Sequence, residues 1–127
     1  MMDKVIMVAV GGALGAVLRF AGVGWIARLS GASYVGTLFV NVIGSFAMGI
    51  LAVLLIERFP ETWGRAAPFL MTGVLGGFTT FSAYSLDVLA LIERGRWTLA
   101  AGYAGGSVLL SVLGLFAGLV LARSMLA

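Results

Sequence analysis

Gly73-Val-Leu-Gly-Gly-Phe-Thr-Thr-Phe-Ser-Ala-Tyr-Ser85 is the stretch on which the fold turns. It lies inside an apolar segment, yet it carries three glycines and, besides Tyr84, four hydroxyl residues. Gly76-Gly77, followed after Phe78 by the β-branched pair Thr79-Thr80, is poor helix material. Backbone that leaves the helix at bilayer depth strands N–H and C=O groups that lipid cannot satisfy. Such a break survives only where it is buried in protein or lines a wet cavity. The stretch by itself leaves two readings open. One is a kinked helix whose small residues let neighbours pack closely. The other is a break that holds ions, as in transport proteins.

The bilayer is implied by composition. The chain has 127 residues, 61% of them hydrophobic and only 10% charged. A soluble domain of this length has too little interior for that much apolar surface. With no Cys and no His, thiol chemistry, disulfides and the commonest acid–base and metal ligands are excluded. The net charge of +3 is small. Its positive residues are spread among the ends of apolar runs, which argues against nucleic acid as a partner. The expectation is an all-α membrane protein, one domain over residues 1–127, with four transmembrane helices and the third broken mid-membrane.

Outward from the break, the third segment runs from about residue 66 to 92 and carries Asp87 in its second half. Before it, Glu57 to Arg65 reads as a charged loop with Trp63 as an interface anchor. The second segment, about 36 to 56, has no charge, and Thr37, Asn41, Ser45 and Gly49 recur along it every four residues. A carboxamide such as Asn41 is costly in hydrocarbon unless hydrogen-bonded. It either ties two helices together or donates to a permeating species. On the fourth segment, about 98 to 122, Tyr103, Ser107 and Ser111 recur every four residues. Their hydroxyls either bond back to their own helix or line a pore. Gly114 and Gly118 add a close-contact pair. The first segment, about 5 to 27, places Gly11, Gly15 and Arg19 on one helical face. Arg19 lies about 13 Å from Arg28 along the helix, too deep for easy snorkelling, which favours a protein or water-filled surrounding. Arg19 and Asp87 fall in the same half of the membrane, so a pairing between them is a further expectation.

With four spans, Lys4, Arg58, Arg65 and Arg123 lie on one side and Arg28, Arg94 and Arg96 on the other. A difference of 4 − 3 = 1 gives almost no instruction to the positive-inside rule. Such a chain can insert both ways. One chain of this size is also too small to enclose a pore alone, so an oligomer is expected.

Three motifs in order, Gly11-Gly-Ala-Leu-Gly-Ala-Val-Leu-Arg-Phe20, Gly36-Thr-Leu-Phe-Val-Asn-Val-Ile-Gly-Ser45 and Gly73-Val-Leu-Gly-Gly-Phe-Thr-Thr-Phe-Ser82, make the chain resemble the Fluc (CrcB) fluoride channels over essentially its whole length. The resemblance implies a passive, fluoride-selective channel in the cell inner membrane. It implies an antiparallel, dual-topology homodimer with two pores and a central structural sodium ion. The sodium would be held by backbone carbonyls of Gly76 and Thr79 from both subunits. Phe81 and Tyr84 would occupy the places of two pore-lining phenylalanines, Tyr84 being a departure. Asn41 would be the pore asparagine, Ser82 would belong to the pore, and Tyr103, Ser107 and Ser111 would form its polar track. Arg19 and Asp87 would be structural or vestibule groups. Two rival classes fit less well. Small multidrug-type transporters need a membrane carboxylate in the first helix, which here has Arg19 and no acid past Asp3. A non-transporting assembly subunit explains the glycines and leaves the Thr-Thr-Phe-Ser break unexplained. Enzyme chemistry is disfavoured, since Asp87 is the only acid within a span and no His can serve as its base.

Overall fold

A computed structural model describes all of residues 1–127. Four helical stretches are long and apolar enough to cross a bilayer: Met2–Ser30, Ser33–Arg58, Pro60–Glu93 and Trp97–Leu126. The first span is one helix, α1 (Met2–Ser30). The second is α2 (Ser33–Ala52), continued by a π-helical turn over Val53–Arg58. The third is segmented. A 3₁₀ turn (Pro60–Thr62) leads into α3 (Trp63–Ala67), a π-helical stretch (Pro68–Leu75) and α4 (Gly76–Phe78); after an interruption α5 (Ser82–Glu93) completes it. The fourth is α6 (Trp97–Leu126). The all-α, four-span architecture is the one read from the sequence.

The charged loop expected over residues 57–65 is corrected. Helix persists to Arg58, Phe59 alone turns the chain at φ −129°, and helical structure resumes at Pro60. Proline has its φ preset and no N–H to satisfy, so it opens a helix readily. Charge in this segment marks emergence from the apolar layer, not loss of helix. Two other turns rest on glycine. Gly31 ends α1 in the left-handed region (φ 80°), its N–H donating to the Ala27 carbonyl at 2.8 Å. Gly95 (φ 73°) turns the chain between α5 and α6.

Two glycine seams hold the spans together. A Cβ on Gly11 would lie 2.5 Å from the Phe69 carbonyl oxygen, and one on Gly77 would lie 2.6 Å from that of Gly12. The first and third spans thus touch backbone to backbone. In the same way Gly49 abuts the Leu115 carbonyl and Gly118 that of Phe46, joining the second span to α6. In lipid, helix association comes from such close packing, since no hydrophobic gain separates tail from side chain. The outer surface agrees. Val17, Phe20, Leu109 and Val112 are exposed, while Val40 is the one large side chain fully enclosed.

Candidate functional site

The interruption begins where Thr79 takes an extended conformation (φ −89°, ψ 157°). Its N–H and its hydroxyl both donate to the Leu75 carbonyl, at 3.0 and 2.9 Å. The next residue is caught from the side. The Thr80 N–H donates to Asn41 Oδ1 (2.7 Å), and Asn41 Nδ2 donates to the Thr80 carbonyl (2.9 Å). A carboxamide on α2 thereby supplies both partners that the broken helix denies Thr80. Helix restarts under a hydroxyl cap, the Ala83 N–H donating to Thr80 Oγ1 at 3.1 Å. Gly44 of α2, lacking a side chain, admits the Thr79 methyl against its backbone. No backbone N–H donates to the carbonyls of Gly76 or Thr79. The Gly77 carbonyl is likewise without a backbone donor, so the interruption leaves several oxygens free; hard oxygen donors of this kind suit a small hard cation.

A cavity of about 290 Å³ opens beside the interruption. Asn41, Ser45, Ser107 and Ser111 give it a polar wall, and Phe81 and Tyr84 give it an aromatic one. Five of the residues expected at a pore therefore converge: Asn41, Phe81, Tyr84, Ser107 and Ser111. Ser45 joins them; its signal was the four-residue stripe on the second span. Tyr103 does not line this cavity. It stands behind Tyr84, ring centroids 5.5 Å apart, and its hydroxyl donates to Asp87 at 3.0 Å. Ser82 lies instead on a second, wider cavity of about 670 Å³, whose wall includes Arg19, Arg28, Thr37 and Ser82. Thr80 lines both.

The expected Arg19–Asp87 pair is not formed. Asp87 is engaged by Tyr103, and the ion pairs of the chain are Met1–Asp3 and Glu57–Arg123. Spacing placed both groups in the same half of the membrane but did not fix the rotation of their helices. The fourth-span stripe is likewise divided: the Tyr103 hydroxyl leaves its own helix for Asp87, and the buried Ser107 hydroxyl has no partner at all.

Four apolar spans, an interruption inside the third and a cavity walled by amide, hydroxyl and aromatic groups define a polytopic membrane protein built to hold a small polar species. The chain belongs to the CrcB family: the model described as CrcB-like protein, Camphor Resistance (CrcB), matches residues 6–119. Among similar proteins, one from Cereibacter sphaeroides is 52% identical over the full length of both chains. One from Rhodospirillum centenum is 54% identical, covering 99% of this chain and 100% of that one. One from Rhizobium meliloti is 46% identical, covering 98% and 99%. Each of the three is named a fluoride-specific ion channel, FluC.

Proposed function

We propose that this chain is a passive, fluoride-selective channel exporting fluoride across the cell inner membrane. The observation that carries this reading is the 290 Å³ cavity, where Asn41, Ser107 and Ser111 face Phe81 and Tyr84. Fluoride is small and strongly hydrated, so a pathway must replace its water with donors. Amide and hydroxyl hydrogens supply them, and aromatic ring edges add partial positive charge. No carboxylate lines either cavity, and Arg19 and Arg28 give the wider one a potential that draws anions.

The working unit is a homodimer. Phe81 is 76% exposed on the open side of the narrow cavity, so one chain leaves the pathway unwalled there. A second copy closes it, and the near-even charge count of 4 against 3 supports an antiparallel arrangement. The unpartnered carbonyls of Gly76 and Thr79 fit a sodium ion shared between two copies. When bound, that ion would supply positive charge near the pathway. Reconstitution into liposomes with a fluoride electrode tests the central claim. A voltage drive alone should release fluoride and retain chloride. Dependence on a proton gradient, or equal passage of chloride, would refute the channel reading.

A further inference from the structure

We infer that the Tyr84 hydroxyl is a positioning group: by occupying the Ala104 carbonyl it removes one of the two backbone acceptors within reach of the Ser107 hydroxyl and so favours donation to an anion in the narrow cavity. The inference rests on the channel reading and assigns Tyr84 a role within that site. A serine inside a helix ordinarily returns its hydroxyl to the carbonyl three or four residues back. For Ser107 these are the carbonyls of Ala104 and Tyr103. A carbonyl oxygen has two lone pairs, and a helical N–H takes one of them. At Ala104 the other is taken by Tyr84, whose hydroxyl donates there at 2.7 Å. Ser107 is 4% exposed and its oxygen has no partner within the chain. It lines the same cavity as Tyr84. A buried hydroxyl without a partner is costly; an anion in the cavity removes that cost by accepting a hydrogen bond from it. The Tyr84 ring packs against two others, its centroid 5.4 Å from that of Phe81 and 5.5 Å from that of Tyr103. Removing the hydroxyl alone therefore changes the carbonyl's occupancy and leaves the ring packed.

The test uses the full chain, as wild type, Tyr84→Phe, Ser107→Ala and the double variant. Fluoride efflux from liposomes is compared with crystal structures of the wild type and Tyr84→Phe. Each single change should slow efflux roughly tenfold, the scale of one hydrogen bond to a charged group. The double variant should be slowed by about the same factor, because both act through one proton. In Tyr84→Phe, Ser107 Oγ should come within roughly 3.2 Å of the Ala104 oxygen. Wild-type efflux in Tyr84→Phe, multiplicative losses in the double variant, or a Ser107 that stays unpartnered would each overturn the inference. A wild-type chain that passes no fluoride refutes the channel reading instead, and the position of Ser107 in Tyr84→Phe then decides the positioning claim alone.

Discussion

The cavity at the helix interruption has less than half the volume of its neighbour, about 290 against 670 Å³. No charged side chain reaches its wall, whereas Arg19 and Arg28 stand on the larger one. Thr80 belongs to both. Full charges act over distances of a Debye length and attract any anion that can enter. Hydroxyls, an amide and ring edges act only on contact, and so on an ion that has shed water. If the chain conducts fluoride as proposed, the wide cavity would concentrate anions and the narrow one would choose among them. Rate should be sensitive to changes in the first, and selectivity and conduction itself to changes in the second.

The strongest way to break this division is Phe81→Ile. The substitution keeps an apolar side chain and removes the positive ring edge. Fluoride efflux should fall to the background of empty liposomes, while the protein elutes from size-exclusion chromatography at the wild-type position. Normal conduction would show that the aromatic wall of the narrow cavity only fills space.

Asn41→Leu comes next, because Asn41 serves the narrow cavity and the interruption at once. Leucine leaves the Thr80 N–H and carbonyl without partners at a residue that is 8% exposed. We expect a stability loss of about 1–3 kcal/mol, measured as thermal unfolding in detergent. Efflux should fall more than roughly tenfold as the cavity loses its amide donor. An unchanged melting temperature with lost efflux would place Asn41 in the pathway and free it of any role in holding the interruption.

The sequence displays these regions unequally. The interruption was legible because Gly76-Gly77 and Thr79-Thr80 violate helix propensity inside an apolar run. The glycine seams were legible because Gly11 and Gly15, or Gly114 and Gly118, repeat at one helical turn. Of the five cavity residues expected from the sequence, Asn41, Ser107 and Ser111 stood on stripes of period four, whereas Phe81 and Tyr84 were named only through the resemblance to the fluoride channels. Helix rotation was not legible. Period four says that residues share a face but not which neighbour that face meets. For that reason Tyr103 fell behind Tyr84, Ser82 fell to the wide cavity, and Asp87 took Tyr103 in place of Arg19. Asn41 shows the same limit from the other side. The residue type required a hydrogen bond, and only the packing of α2 on the interruption could name Thr80 as its partner.

The smallest effect belongs to the wide cavity and is conditional on salt. Arg19 is half-buried and Arg28 exposed, both on the wall of that space. If they act by raising local anion concentration, neutralising them lowers the rate of entering and leaves the choice of ion untouched. Arg19→Gln should slow fluoride efflux about fivefold at an ionic strength near 0.01 M, where the Debye length is about 30 Å. Near 0.15 M, where it is about 8 Å, the loss should shrink to about twofold. Arg28→Gln should lose less in both conditions, because an exposed guanidinium is screened more completely. Fluoride should exclude chloride as well in both variants as in the wild type. A loss that ignores salt would mean that Arg19 contacts the ion or holds the fold. Chloride leakage in Arg19→Gln would be more damaging, since it would put selection in the wide cavity and dissolve the division between the two.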